Sequence, residues 1–110
     1  MPNQAVERDS VLTALVSAML QAMSIRRIIL FGSRSTGKAR PDSDYDLLVV
    51  ADTNLPPDER ALVLRKATRE FGVPLDILVY SVAEHERLAR WKSSAVAHAE
   101  SEGAVVYESE

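Results

Sequence analysis

The feature that most constrains this chain is a pair of apolar runs separated by a glycine turn and a polar interval. Residues 25–31 (Ile-Arg-Arg-Ile-Ile-Leu-Phe) are rich in β-branched and aromatic side chains and stop at Gly32-Ser33, which reads as a buried strand ended by a turn. A second strand-like run, Tyr45 to Ala51, follows the polar interval Arg34 to Ser43 and is entered through Asp44-Tyr45-Asp46. Strand side chains alternate between faces, so Asp44 and Asp46 point the same way, with Cα atoms roughly 6.5–7 Å apart at about 3.3 Å per residue.

These two elements imply chemistry. Gly32, Ser33 and Gly37 suit a tight loop in which backbone N–H groups and a hydroxyl converge on an anion such as a triphosphate. Two carboxylates on one strand face can share divalent ions, hard cations that prefer oxygen ligands, with Mg²⁺ the first choice. A third acid, Asp76, interrupts the apolar run Val73 to Tyr80. An ionised carboxylate within a β-core needs a cation or an open strand end, and a metal beside Asp44 and Asp46 meets both needs.

Each fragment has a plainer reading as a turn, a solvated strand-edge pair, or an edge-strand charge. Taken together, Phe31-Gly32-Ser33, Asp44-Tyr45-Asp46-Leu47 and Asp76 resemble the signature of the DNA polymerase β-type nucleotidyltransferase superfamily, and the short length resembles its minimal prokaryotic members. The resemblance implies an α+β fold: one small domain over residues 1–110, a mixed β-sheet flanked by helices. It implies that Gly32, Ser33 and Gly37 bind the nucleotide, to which Arg34 is added for its charge, and that Asp44, Asp46 and Asp76 are catalytic and hold metal, two Mg²⁺ ions with ATP as substrate. Ser35 stands where alanine is frequent in the family's loop, a small-for-small exchange. Arg34, Lys38 and Arg40 add positive charge suited to β- and γ-phosphates, or form a solvated loop. Asp42, in a Pro41-Asp42-Ser43 turn, is left out of the catalytic set.

Minimal members are associated with HEPN-domain proteins in toxin–antitoxin pairs. The resemblance therefore implies an antitoxin that transfers AMP to a tyrosine of a HEPN ribonuclease toxin. The alternatives are modification of a small hydroxylated molecule such as an aminoglycoside, or a non-catalytic nucleotide-binding antitoxin that masks its partner. At 110 residues no separate acceptor-binding domain is expected, although a homo- or hetero-oligomer could supply the missing wall. A net charge of −3 and a pI near 5.4 argue against direct nucleic-acid binding, which needs a basic surface to displace counterions. The chain has no cysteine, so thiolate metal sites and disulfides are excluded. No run is long enough to span a membrane, and the first residues lack the pattern of a signal peptide. A cytoplasmic location is expected.

The remainder reads as scaffold. Val11, Leu12, Leu15, Val16, Met19, Leu20 and Met23 recur at helical spacing with Ser10 placed to cap. A second helix is expected over Asp58 to Phe71, stopped by Gly72. Ser81-Val82-Ala83-Glu84 fits a capping box opening a helix toward Trp91, Ser94 to Glu102 reads as a helix closed by Gly103, and Ala104 to Tyr107 as a last strand. The pattern alone leaves open whether the helix between the second and third strands makes a parallel crossover. His85 and His98 are expected at the surface, Tyr80 and Tyr107 in packing. Trp91 is read as a core plug, with an exposed protein anchor as the other reading.

Overall fold

The computed structural model describes residues 9–32, 44–91 and 93–109. In chain order these form α1 (Ser10–Ala22), β1 (Ile25–Phe31), β2 (Tyr45–Ala51), α2 (Pro57–Thr68) with a 3₁₀ turn at Arg69–Phe71, β3 (Leu75–Ser81), α3 (Val82–Ala89), α4 (Ala95–Glu102) and β4 (Ala104–Glu108). The four strands make one sheet in the order β3-β2-β1-β4. β1 is antiparallel to β2 and to β4, whereas β2 and β3 are parallel. The sheet is therefore mixed, as the resemblance implies, and the β2–α2–β3 segment is also a parallel crossover. The two options posed from the sequence coexist.

β2 is central and its residues Leu47 to Ala51 are all buried, so it shows a continuous apolar run in place of alternation. Leu47, Val49 and Ala51 pack with Leu12, Leu15 and Met19 of α1 and Leu64 of α2. Leu48 and Val50 face the other way, with Ile29, Val96 and Ala99, and Val82, Leu88 and Ala89 of α3 close over them. Helices thus cover both faces. A register shift between Ile25 and Arg27 reverses the parity of β1, which lets Ile25 join Ile28 and Leu30 in the α1 core.

Helix ends follow local chemistry. α1 is capped by Asp9, whose side chain accepts from the Leu12 N–H; Ser10, expected as the cap, is the first helical residue. The carboxylate one position earlier reaches the orphan N–H groups. The capping box of α3 is complete, with Ser81 Oγ accepting from the Glu84 N–H and Glu84 accepting from the Ser81 N–H at 2.9 Å. α2 begins with Pro57 in its first turn, and its last turn tightens to 3₁₀ before Gly72, which takes a left-handed φ of 63°. β3 begins at Leu75, two residues beyond Val73, because Pro74 cannot donate to a ladder.

One ion pair joins α2 to α3. The Arg60 guanidinium of α2 donates to Glu84 Oε1 at 2.6 Å and to the Leu55 carbonyl at 2.9 Å. Its side chain is only 8 % exposed, so nearly all of its charge must be met by protein groups. Hydrogen bonding from Arg60, then from the Ser81 N–H, holds the Glu84 carboxyl below its usual range.

Trp91 corrects the sequence reading. It is 70 % exposed, because α3 ends at Ala89 and the chain turns there, with the Trp91 N–H bonded to the Leu88 carbonyl. His85 also departs from a surface role: it is half-buried, its Nε2 2.7 Å from Glu100 Oε1 between α3 and α4. His98 is exposed as expected, 2.9 Å from Glu102 on the same helix. Tyr80 and Tyr107 pack at the edges of the two cores. No helix among the described residues is long and apolar enough to cross a membrane.

Candidate active site

The site is assembled where β1 ends and where β2 and β3 begin. Antiparallel pairing brings the last residue of β1 beside the first residues of β2, with Phe31 opposite Asp46. Parallel pairing places Asp76 directly opposite Asp46. Asp46 shares parity with Leu48 and Val50, and Asp76 with Tyr80, so both side chains leave the sheet on the face covered by α3 and α4. Asp44 lies just before β2, two residues from Asp46, and is exposed like Asp76; Asp46 is half-buried.

The electrostatics record this convergence. Burial, then the charge of Asp76, then that of Asp44, push the Asp46 carboxyl above the usual carboxylate range. Two neighbouring negative charges act on one partly desolvated acid, an environment that favours a cation. The donor set consists of carboxylate oxygens and fits a hard divalent ion such as Mg²⁺. As the side chains stand, no group of three His, Cys, Asp or Glu among the described residues is close enough to hold a metal. The three acids are neighbours in register and charge without forming a closed chelate.

Gly32 completes the described part. Its φ is 73°, a conformation that suits glycine. It is also pressed against β2: a Cβ added there would collide with Oδ2 of Asp46. The sequence pointed to glycine as a turn former, and the structure adds that this position must be bare for Asp46 to lie over it. Ser33, Arg34 and Gly37, and the basic residues Lys38 and Arg40, lie outside the described residues.

The sequence did not reveal what holds the start of β2. Tyr45 points to the face opposite the acids, is 4 % exposed, and donates its hydroxyl to Asp9 Oδ2 at 2.8 Å. Its backbone N–H donates to the Pro74 carbonyl at 3.0 Å. Only the parity of Tyr45, which places it on the face away from the acids, was legible beforehand.

The fold is shared with solved structures. A toxin–antitoxin crystal structure with AMP-PNP is similar in fold, with a TM-score of 0.60 at 18% identity, covering 89% of this chain and 73% of that one. A crystal structure of the toxin–antitoxin MntA-HepT gives a TM-score of 0.52 at 15% identity, covering 88% of this chain and 69% of that one. No curated protein matches the sequence. The family model described as polymerase beta, nucleotidyltransferase matches residues 15–109, which include all three acids and Gly32, and the chain belongs to that family.

Proposed function

We propose that the chain is a Mg²⁺-dependent nucleotidyltransferase that moves AMP from ATP to a hydroxyl of a protein partner, a tyrosine of a HEPN ribonuclease toxin, and so acts as the antitoxin of the pair. The observation that carries the catalytic part is the register Phe31–Asp46–Asp76 across three strands, with Asp44 alongside and Gly32 beneath Asp46. The likeness in fold to toxin–antitoxin crystal structures, one with AMP-PNP, supports the partner and the nucleotide.

In this reading the acceptor oxygen forms a bond to the α-phosphorus as the bond to the bridging β-oxygen breaks, and pyrophosphate leaves. Asp44, Asp46 and Asp76 would hold the metal, and Asp76 would take or orient the acceptor's proton. Bound there, Mg²⁺ supplies Lewis acidity that eases deprotonation of the hydroxyl and offsets charge on the triphosphate. The loop begun by Gly32-Ser33, with Arg34 and Gly37, cradles the phosphates. Positioning and charge compensation are the main protein contributions to such a transfer.

The test is transfer of label from ATP to a co-expressed HEPN-domain partner in the presence of Mg²⁺. Asp44→Asn or Asp46→Asn is expected to abolish labelling, and unchanged labelling in both would sink the assigned site. Rescue from the toxin by those same variants would show masking without catalysis.

A further inference from the structure

Two carboxylates of the proposed site, Asp44 just before β2 and Asp46 within it, flank Tyr45, and Tyr45 is held from two directions. On the sheet, its N–H donates to the carbonyl of Pro74 at 3.0 Å, and it stands opposite Leu75, one residue before Asp76. Beneath the sheet, its ring lies in the core with Leu12 and Leu15 and its hydroxyl donates to Asp9 at 2.8 Å. Asp9 divides its carboxylate between two tasks: Oδ1 accepts from the Leu12 N–H and starts α1, while Oδ2 accepts from Tyr45. The N-terminus of α1 and the first residue of β2 are thereby pinned to one carboxylate, although 36 residues apart in the chain.

The geometry points to Tyr45 as a positioning residue for the metal carboxylates, with Asp9 as its anchor. This inference rests on the transferase reading above. Asp46 leaves the strand opposite to the Tyr45 side chain and Asp44 directly precedes Tyr45, so rotation or sliding at residue 45 moves both acids relative to Asp76, which is carried by a different strand. The ring alone fills volume and permits such motion. The hydroxyl bond to a helix cap removes it.

The test compares Tyr45→Phe, Asp9→Ala and Asp9→Asn in the full chain, with Ser94→Ala as a control that removes an unrelated N-cap accepting from the Ala97 N–H at 3.0 Å. Two readouts are taken below the melting temperature of every variant: Mn²⁺ binding to the chain alone, by paramagnetic resonance of the free ion, and transfer kinetics with the partner. Tyr45→Phe and Asp9→Ala are expected to weaken Mn²⁺ binding or lower kcat by roughly 10–100-fold, the range seen when groups supporting metal ligands are removed. Asp9→Asn, whose amide can cap α1 through oxygen and donate to the phenol oxygen, is expected to behave like the parent chain, as is Ser94→Ala. Parent-like metal binding and turnover in Tyr45→Phe, or an equal loss in Ser94→Ala, would overturn the inference. If instead Asp46→Asn keeps full activity, it is the site assignment that fails.

Discussion

Asp46 and Asp76 face one another across the parallel β2–β3 pair, and the charge of Asp76 contributes, after burial, to raising the proton affinity of Asp46. Like charges held side by side work against folding until something offsets them. The proposed function needs that arrangement, so stability and activity should part company there.

Asp46→Asn is accordingly expected to leave the metal-free chain as stable as the parent or more so, while transfer is lost. The pH dependence has a definite sign. Because the folded chain binds the Asp46 proton more tightly than the unfolded chain, the metal-free fold loses stability as pH rises from the ordinary carboxylate range through the raised folded value, and the penalty is complete above it. Urea melts across that range in chelator should show this slope in the parent and a flatter one in Asp46→Asn.

Glu84 gives the opposite slope. Its folded pKa is lowered, first by the Arg60 hydrogen bond, so its contribution is present above the ordinary Glu value and is lost as pH falls through the lowered one. Glu84→Gln should remove that acid lability. Arg60→Ala, which leaves the Leu55 carbonyl without the guanidinium and Glu84 with only the Ser81 N–H as donor, should cost about 2–4 kcal/mol in denaturant melts, toward the range for breaking a buried pair.

Two glycines separate backbone strain from contact. Gly72 has φ 63° with open space where a Cβ would go, whereas Gly32 has φ 73° and Asp46 in the way. Gly72→Ala should lower stability by about 1 kcal/mol with transfer intact. Gly32→Ala should cost more and also impair transfer, because the carboxylate it displaces is Asp46. Thermal melts and the labelling assay on both variants check the pair.

Trp91→Ser should change stability by no more than about 0.5 kcal/mol, as for an exposed substitution away from the core. A loss of several kcal/mol in the melt would show that the indole is packed.

Elements with a local signature were legible in the chain itself. The β1 and β2 runs, the Ser81–Glu84 capping box, the Gly72 stop and the Leu12-Leu15-Met19 stripe each depend on side chains a few residues apart, where period and hydrogen-bond reach act directly. The two-residue pleat gives the face of Asp46, which lies within β2, whereas Asp44 stands just before the strand. Errors arose where competing local choices were close: Asp9 caps α1 in place of Ser10, and Trp91 falls just past a helix end instead of within it.

Which distant groups meet depends on contacts between remote segments. Asp76 lies 30 residues beyond Asp46, and a parallel neighbour at that register depends on how α2 returns the chain to the sheet. The same holds for Arg60 with Glu84, for Asp9 with Tyr45, and for the carboxylate resting on Gly32. Local pattern was enough for the strands and for the faces of Asp46 and Asp76. Their arrangement rests on pairing and packing between remote segments, which close only when the sheet and both helical layers form together.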